Sequence, residues 1–317
     1  MIIHSYPSSR RLTKMKVLVV GGNGFLGSAI VKQALSRKWN VVSISRRGDA
    51  FKTPAGHHPG WTSSKLVEWR SADALKPQSY ETILKECDAA ISTTGILLES
   101  SYKQTASDAN GGGALGILQG LAKGWGLMAG QSDSASSSPG PSYDTVNRDT
   151  AIAVGRTFSA TRSATSKADD NPFIYVSAED IFRPIISQRY IESKREAEDA
   201  LTQIALQDNK MRPVFLRPGL MYHPQSRPLS TLPAAALDLS SWLHHKHIQS
   251  GIPLPTLAAL LNAFPAADLS ALSRLVTLQP LHVDTVAKAA CEAVLNPTVR
   301  GAVGTQGLQD LAGFRSK

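Results

Sequence analysis

The sequence predicts a doubly wound parallel α/β sheet carrying a smaller, mostly helical C-terminal lobe. Three observations lead there. Short β-branched apolar runs alternate with segments of helical periodicity from Lys16 to Leu216. A glycine-rich turn, Gly21-Gly22-Asn23-Gly24-Phe25-Leu26-Gly27, joins the first run to the first helical segment. From Pro224 onward the alternation gives way to Leu/Ala-rich pieces punctuated by Pro228, Pro233, Pro253, Pro255, Pro265 and Pro280.

Taken in order, Lys16 to Val20 (KVLVV) is continuously apolar, as a strand covered on both faces must be. Phe25, Leu26, Ala29, Ile30, Ala34 and Leu35 then recur at helical spacing, in a helix expected to fade near Trp39 and Asn40. Val41 to Ser45 (VVSIS) is the second strand and completes a βαβ unit. Further strands are expected at Leu66 to Trp69, Ala89 to Thr93, Phe173 to Val176 and Val214 to Leu216, with helices near Gln78 to Lys85, Tyr143 to Thr161 and Tyr190 to Leu206. This divides the chain into a basic extension at 1–15, a sheet domain at 16–223 and a C-terminal substrate or partner lobe at 224–317. Residues 106–142, rich in Gly, Ser and Ala, stand where a short loop would suffice and read as a mobile insertion.

Composition narrows the function classes. A chain of 317 residues with 42% hydrophobic content supports a sizeable core. Two cysteines, Cys87 and Cys291, far apart and outside any C-x-x-C or Cys/His array, indicate neither a disulfide framework nor a structural zinc. The net charge of +9 is scattered and not gathered into a basic stripe interleaved with aromatics, which argues against a nucleic-acid partner. No apolar run reaches the roughly 18 residues of a membrane span. The first fifteen residues hold Arg10, Arg11 and Lys14 and no acid, which suits either a mitochondrial targeting segment or a plain basic extension.

The glycine turn carries the first functional expectation. A pyrophosphate sits on a helix N-terminus where the backbone approaches closely enough for unpaired N–H groups to donate. Gly21 would turn the chain out of the strand, Gly24 would admit the phosphates, and Gly27 would let helix and sheet pack, so this is a dinucleotide-binding (Rossmann) turn for NAD(P) that also includes Asn23, Phe25 and Leu26. Its spacing is G-x-x-G-x-x-G. The second strand ends in Ser45-Arg46-Arg47, where an NAD-preferring protein usually places a carboxylate against the ribose 2′-hydroxyl. A guanidinium suits a 2′-phosphate, so NADP(H) is favoured over NAD(H); the same arginines also read as a solvated basic loop. Asp73 is placed either against the adenine amino group or as a turn cap.

The second expectation concerns chemistry. Tyr190 and Lys194 fall four apart on one helical face, where an ammonium favours the phenolate and lets a tyrosine act as general acid or base. Ser177, at the carboxyl end of FIYVS, lies where open α/β sheets bind substrate. Ser177 would hold a substrate carbonyl or hydroxyl, Tyr190 would exchange its proton and Lys194 would anchor the nicotinamide ribose. In the bland alternative, Ser177 caps the next segment and the Tyr/Lys pair is a surface contact.

Together these residues resemble the short-chain dehydrogenase/reductase superfamily, in its atypical extended branch of NAD(P)-binding epimerase/dehydratase-like proteins. The resemblance runs from Lys16 to about Pro297 and takes in GGNGFLG, Asp73, Thr94-Gly95, Asn147, Ser177, Tyr190, Lys194, Arg217-Pro218-Gly219 and PLHVDTVAKAACEAV. The stretches GILLES with YKQT, VNRDTAIAV, YVSAED, YIESKREAE and LRPGLMY resemble more narrowly the fungal mitochondrial subunit group of the coenzyme Q (ubiquinone) biosynthesis complex, which is itself similar to the nucleotide-binding accessory subunit of respiratory complex I. The resemblance implies a mitochondrial matrix location with peripheral inner-membrane contact, partner subunits of a ubiquinone-biosynthesis complex and a lipophilic quinone precursor as substrate. It also implies that Asn147 supports Lys194 through water and that Arg217, Pro218 and Gly219 line the nicotinamide side. Two functions remain in play: an NAD(P)-dependent oxidoreductase, and a non-catalytic subunit stabilised by its nucleotide.

The stretch from Thr231 to Phe264 reads as lobe packing or as amphipathic pieces able to lie on a membrane or enclose a polyprenyl tail. His244, His245 and His247 have no suitably spaced carboxylate, and no metal is assigned. His282 and Asp284 precede the last helix, which Asp284 is expected to cap, and the two are read as tying the lobe to the sheet domain rather than doing chemistry.

Overall fold

The alternation of KVLVV is resolved by the two faces of one sheet. Val17 and Val19 enter one apolar cluster with Ile30, Ile91, Ile174 and Val214, while Leu18 and Val20 enter the opposite cluster with Ile44, Ala90, Phe173 and Leu201. Both faces are covered, so the strand carries apolar residues at every position.

The computed structural model describes residues 15–97, 142–163, 165, 168, 171–181, 183, 186–223 and 277–314. In chain order the elements are β1 (Lys16–Val20), α1 (Phe25–Ser36), β2 (Asn40–Ser45), β3 (Val67–Ser71), α2 (Glu81–Lys85), β4 (Ala89–Ser92), α3 (Thr150–Ala160), β5 (Pro172–Val176), α4 (Gln188–Asp208), β6 (Arg212–Leu216), β7 (Met221–Tyr222), β8 (Leu281–His282), α5 (Val283–Leu295), β9 (Gly301–Val303) and α6 (Thr305–Leu311). Seven strands form one parallel sheet in the order β3-β2-β1-β4-β5-β6-β9. The order reverses between β1 and β4, which opens the crevice where such sheets bind ligands. A separate parallel pair joins β7 to β8.

Several elements differ in detail from their sequence expectation. α1 ends at Ser36, because Arg37 caps it and Lys38 takes a left-handed φ of 61° before Trp39 turns into the core. The helix expected at Gln78 to Lys85 is a 3-10 turn at Pro77–Ser79 followed by the single turn of α2. The helix expected from Tyr143 opens with a π-helical turn, Asp144–Asp149, before α3. Residues 281–311 return to the sheet domain across the boundary drawn at 223: β9 adds a strand beside β6, and α5 packs along α1. The cap of α5 is His282, whose Nδ1 accepts the Asp284 N–H at 3.2 Å, while Asp284 lies in the first turn. α5 is followed by α6, so it is not the final helix. Most of the 106–142 insertion, the extension up to Lys14 and residues 224–276, with Thr231 to Phe264 and His244, His245 and His247, lie outside the described residues. Among the described residues, no helix is long and apolar enough to cross a membrane.

Candidate functional site

The glycine turn is built by backbone contacts. Gly21 adopts φ 81°, a conformation open to glycine at little cost, and its N–H donates to Ile44 O at 2.8 Å. Gly24 N–H returns to Gly21 O at 2.9 Å, which closes the turn and sets Gly24 as the N-cap of α1. A Cβ on Gly27 would stand 2.8 Å from both the Gly21 carbonyl carbon and Gly22 Cα, and closer still to Gly21 O. A Cβ on Gly24 meets one atom, Gly21 O at 3.2 Å, and the residue is exposed. The turn is therefore tight on its inner side and open on its outer side, as a pyrophosphate cradle at a helix N-terminus requires. Gly22, passed over in the sequence reading, is equally constrained: a Cβ there would lie 2.9 Å from Ser43 Cβ and 3.0 Å from Val31 Cγ2. Phe25 and Leu26 open α1, with Leu26 buried in the core.

Beside the turn, Asn23 Nδ2 donates to Ser45 Oγ at 3.3 Å, and Gly48 N–H donates to the same hydroxyl at 3.1 Å. This ties the glycine turn to the end of β2. Arg46 and Arg47 are exposed there; Arg47 pairs with Asp49 at 3.1 Å, whereas among the described residues no acid pairs with Arg46. Asp73 serves as a turn cap, its Oδ1 accepting the Leu75 N–H at 3.0 Å.

The segment after β4 links this seat to the Tyr/Lys helix. Thr93 Oγ1 donates to Val20 O at 2.7 Å beneath the glycine turn, and Thr94 Oγ1 lies 2.9 Å from Thr150 Oγ1. Gly95 packs against the Lys194 ammonium and the Asn147 amide so closely that a Cβ would lie 2.8 Å from Lys194 Nζ and 3.3 Å from Asn147 Oδ1. Lys194 Nζ donates to Val176 O at 3.0 Å and to Thr94 O at 3.4 Å, and lies 4.9 Å from the Tyr175 ring centre. Asn147 is fully buried in the π-helical turn; its amide accepts from Ile96 N–H at 2.8 Å and donates to Ile96 O at 3.1 Å. π-Bulges place side chains out of ordinary helical phase and recur at functional sites. Thus Thr94, Gly95, Asn147 and Lys194 come together at the carboxyl ends of β4 and β5.

Tyr190 stands one turn before Lys194 in α4, half-buried and edge-on to Tyr143 with ring centres 5.8 Å apart. Burial raises its pKa above the ordinary tyrosine value, with Tyr143 adding to the rise and Arg195 opposing it. Burial also pushes the Lys194 ammonium down to about 7, against the favourable charge of Glu198. In this structure the cation that favours the Tyr190 phenolate is Arg195 rather than Lys194.

Ser177 shows a partner the sequence reading missed. Its Oγ accepts from Arg195 Nη1 at 3.0 Å, and Arg195 Nη2 donates to Ala178 O at 2.9 Å. Arg195 is clamped in turn by Glu198, a buried carboxylate that accepts from Arg195 Nη1 at 2.7 Å and from Arg217 through Nε at 3.1 Å and a second, short bond through Nη2. The Arg217 guanidinium is thereby directed at Glu198. Its backbone N–H joins Val303 O at 2.8 Å, Pro218 O accepts from Glu179 N–H at 2.9 Å, and Gly219 packs beside Thr305. The i, i+3 spacing of Arg195 and Glu198 was visible in YIESKREAE, but the pairing with Arg217 needs β6 to lie beside β5.

A third group assembles at the β7–β8 pair, where His223, His282 and Asp284 bring one donor atom each within 4.8 Å of one another. The two histidines stand 59 positions apart in the sequence, so no local spacing could announce the cluster.

Comparison with known proteins agrees with this fold. UDP-glucuronic acid 4-epimerase from Bacillus cereus, solved in complex with NAD, is similar in fold with TM-score 0.52 at 16% identity over 92% of this chain and 76% of its own. Aldohexose dehydrogenase from Thermoplasma acidophilum, in ligand-free form, has TM-score 0.51 at 14% identity, covering 94% and 95%. MIOREX complex component 2 of Saccharomyces cerevisiae is 35% identical over 213 residues, which are 65% of this chain and 73% of the yeast protein. The NAD dependent epimerase/dehydratase family matches residues 17–251, a span that holds the glycine turn, Asn147, Ser177, Tyr190 and Lys194 together, and the chain belongs to that family.

Proposed function

We propose that this chain is an oxidoreductase-type, NADP(H)-binding protein of the mitochondrial matrix that works in ubiquinone biosynthesis on a lipophilic quinone precursor, as a subunit in peripheral contact with the inner membrane. The observation that carries the reading is the convergence of Lys194, Asn147 and Gly95 beside the glycine turn, with Ser177 at the adjoining strand end. A nicotinamide dinucleotide, when bound, supplies the hydride chemistry. The residues fit such a group: Gly24 leaves its outer side open, Asn23 and Ser45 shape the ribose side, and the protonated Lys194, donating to Val176 O and Thr94 O, has a third N–H for a ribose hydroxyl. Arg46, exposed and without an acidic partner among the described residues, supports a 2′-phosphate and hence NADP(H) over NAD(H). Ser177 Oγ, already accepting from Arg195, keeps its own proton to donate to a substrate oxygen. Tyr190 exchanges the proton, with Arg195 favouring its ionised form.

The second reading, a non-catalytic subunit stabilised by nucleotide, is favoured by the raised pKa of Tyr190 and by the likeness to a MIOREX complex component. Tyr190→Phe separates the two: ubiquinone production lost with folding and NADPH binding intact supports the enzyme, and full production refutes it. Direct titration with NADPH and NADH tests the nucleotide preference. Gly24→Val is expected to abolish both, and unchanged binding overturns the placement of the seat.

A further inference from the structure

We propose that His223, His282 and Asp284 form a binding site for a divalent transition metal of the zinc class, clasping the β7–β8 pair. The three donors come from three places. His223 directly follows β7, His282 is the second residue of β8, and Asp284 lies in the first turn of α5. Parallel pairing sets Tyr222 opposite His282, which brings His223 to the next position and leaves the two imidazole ring centres 5.0 Å apart. His282 Nδ1 lies 3.8 Å from Asp284 Oδ2, and one donor from each of the three residues falls within 4.8 Å of the others; a metal bound at Nδ1 takes the lone pair that the Asp284 N–H occupies in the metal-free chain, whereas one bound at Nε2 leaves that cap in place.

Two imidazoles and a carboxylate, with a fourth position left for water, are a donor set that zinc and cobalt(II) accept. Bonds of about 2.0–2.1 Å in a tetrahedral site place donors about 3.4 Å apart, so the widest pair must close by up to about 1.4 Å from the 4.8 Å limit. All three side chains are only half-buried. Among the described residues no lysine or arginine forms an ion pair with Asp284, so its carboxylate is not already committed to a cation. The helix N-terminus and Lys32 oppose a positive ion here, which is why the carboxylate is required.

The location gives the ion a task. Strands of two residues each are too short to hold a parallel pair unaided, yet this pair closes the chain between Tyr222 and Leu281. A chelate spanning both strands stabilises that closure by linking metal binding to folding.

The test uses the full chain, stripped with EDTA and titrated with Zn²⁺ and Co²⁺, with metal content by elemental analysis and the cobalt d–d spectrum as readouts. One equivalent is expected per chain. His223→Gln and His282→Asn should each weaken binding by at least the roughly 10–100-fold that losing a mere supporting partner of a ligand costs; asparagine at 282 keeps a good helix cap, so the second variant retains its fold. A variant with His244, His245 and His247 all changed to alanine should bind as the parent does. The proposal is overturned if the parent binds less than one equivalent, if His223→Gln binds normally, or if the triple variant is the one that loses the metal.

Discussion

Gly27→Ala tests how the glycine turn is held. Gly27 is buried in the first turn of α1, and helix propensity alone predicts that alanine there stabilises the protein by about 1 kcal/mol. Packing predicts the opposite sign. The added methyl would meet the Gly21 carbonyl and Gly22 Cα, which are backbone atoms of a turn fixed by hydrogen bonds to Ile44 O and Gly21 O. No side chain can rotate away to relieve the contact. Overpacking costs about 1–3 kcal/mol, and at its upper end it outweighs the propensity gain, leaving a net loss of about 1–2 kcal/mol. For a chain of 317 residues that lowers Tm by about 1.5–3 °C. Gly24→Ser is the control: its backbone, φ −80° and ψ 177°, suits any residue, serine is a good N-cap, and stability should change by no more than about 0.5 kcal/mol. Thermal and urea unfolding measure both. A Gly27→Ala protein as stable as the parent, or a Gly24→Ser protein equally damaged, would refute the reasoning.

Three other outcomes follow from buried charge. The Lys194 pKa falls from 10.5 to about 7 on folding, so above pH 7 the unfolded chain binds the extra proton and stability rises with pH; below 7 the full penalty applies. The stability difference between the parent and Lys194→Met should therefore shift in the parent's favour from pH 7 to about 8.5, before cysteines titrate in the unfolded chain, and a flat difference would sink the assignment. Glu198→Gln leaves Arg195 and Arg217 without their shared carboxylate and should cost about 1.5–3 kcal/mol, discounted from a fully buried pair because both arginines are partly exposed, with a matching fall in urea midpoint. Burial pushes Cys87 and Cys291 up to about 12, so a disulfide reagent such as DTNB should label neither thiol in the native chain near neutral pH and both after denaturation.

The parallel sheet was legible because its strands are covered on both faces and must be apolar throughout, which leaves runs such as KVLVV and FIYVS standing out from their surroundings. The glycine turn was legible for a local reason too: the positive φ of Gly21 and the tight approach of backbone to backbone at Gly27 both favour glycine. The π-helical turn that sets Asn147 was not, because it differs from an α-helix by one residue of hydrogen-bond phase, and DTVNRD carries no residue that demands it. The return of residues 281–311 to the sheet was hidden by the proline-rich stretch before them, although VDTVAKAACEAVL has the small-residue face that lets α5 lie close along α1.

Sequence alone determined the class of sheet and the glycine turn, and it singled out Ser177, Tyr190 and Lys194 as candidates, since each depends on residues near one another along the chain. The tertiary structure decided what surrounds them. Arg195 reaches Ser177 because β5 and α4 are adjacent, Arg217 meets Glu198 because β6 lies beside β5, and His223 meets His282 across a strand pair. Those contacts depend on which strand neighbours which, a property of the packed sheet that short-range spacing does not encode.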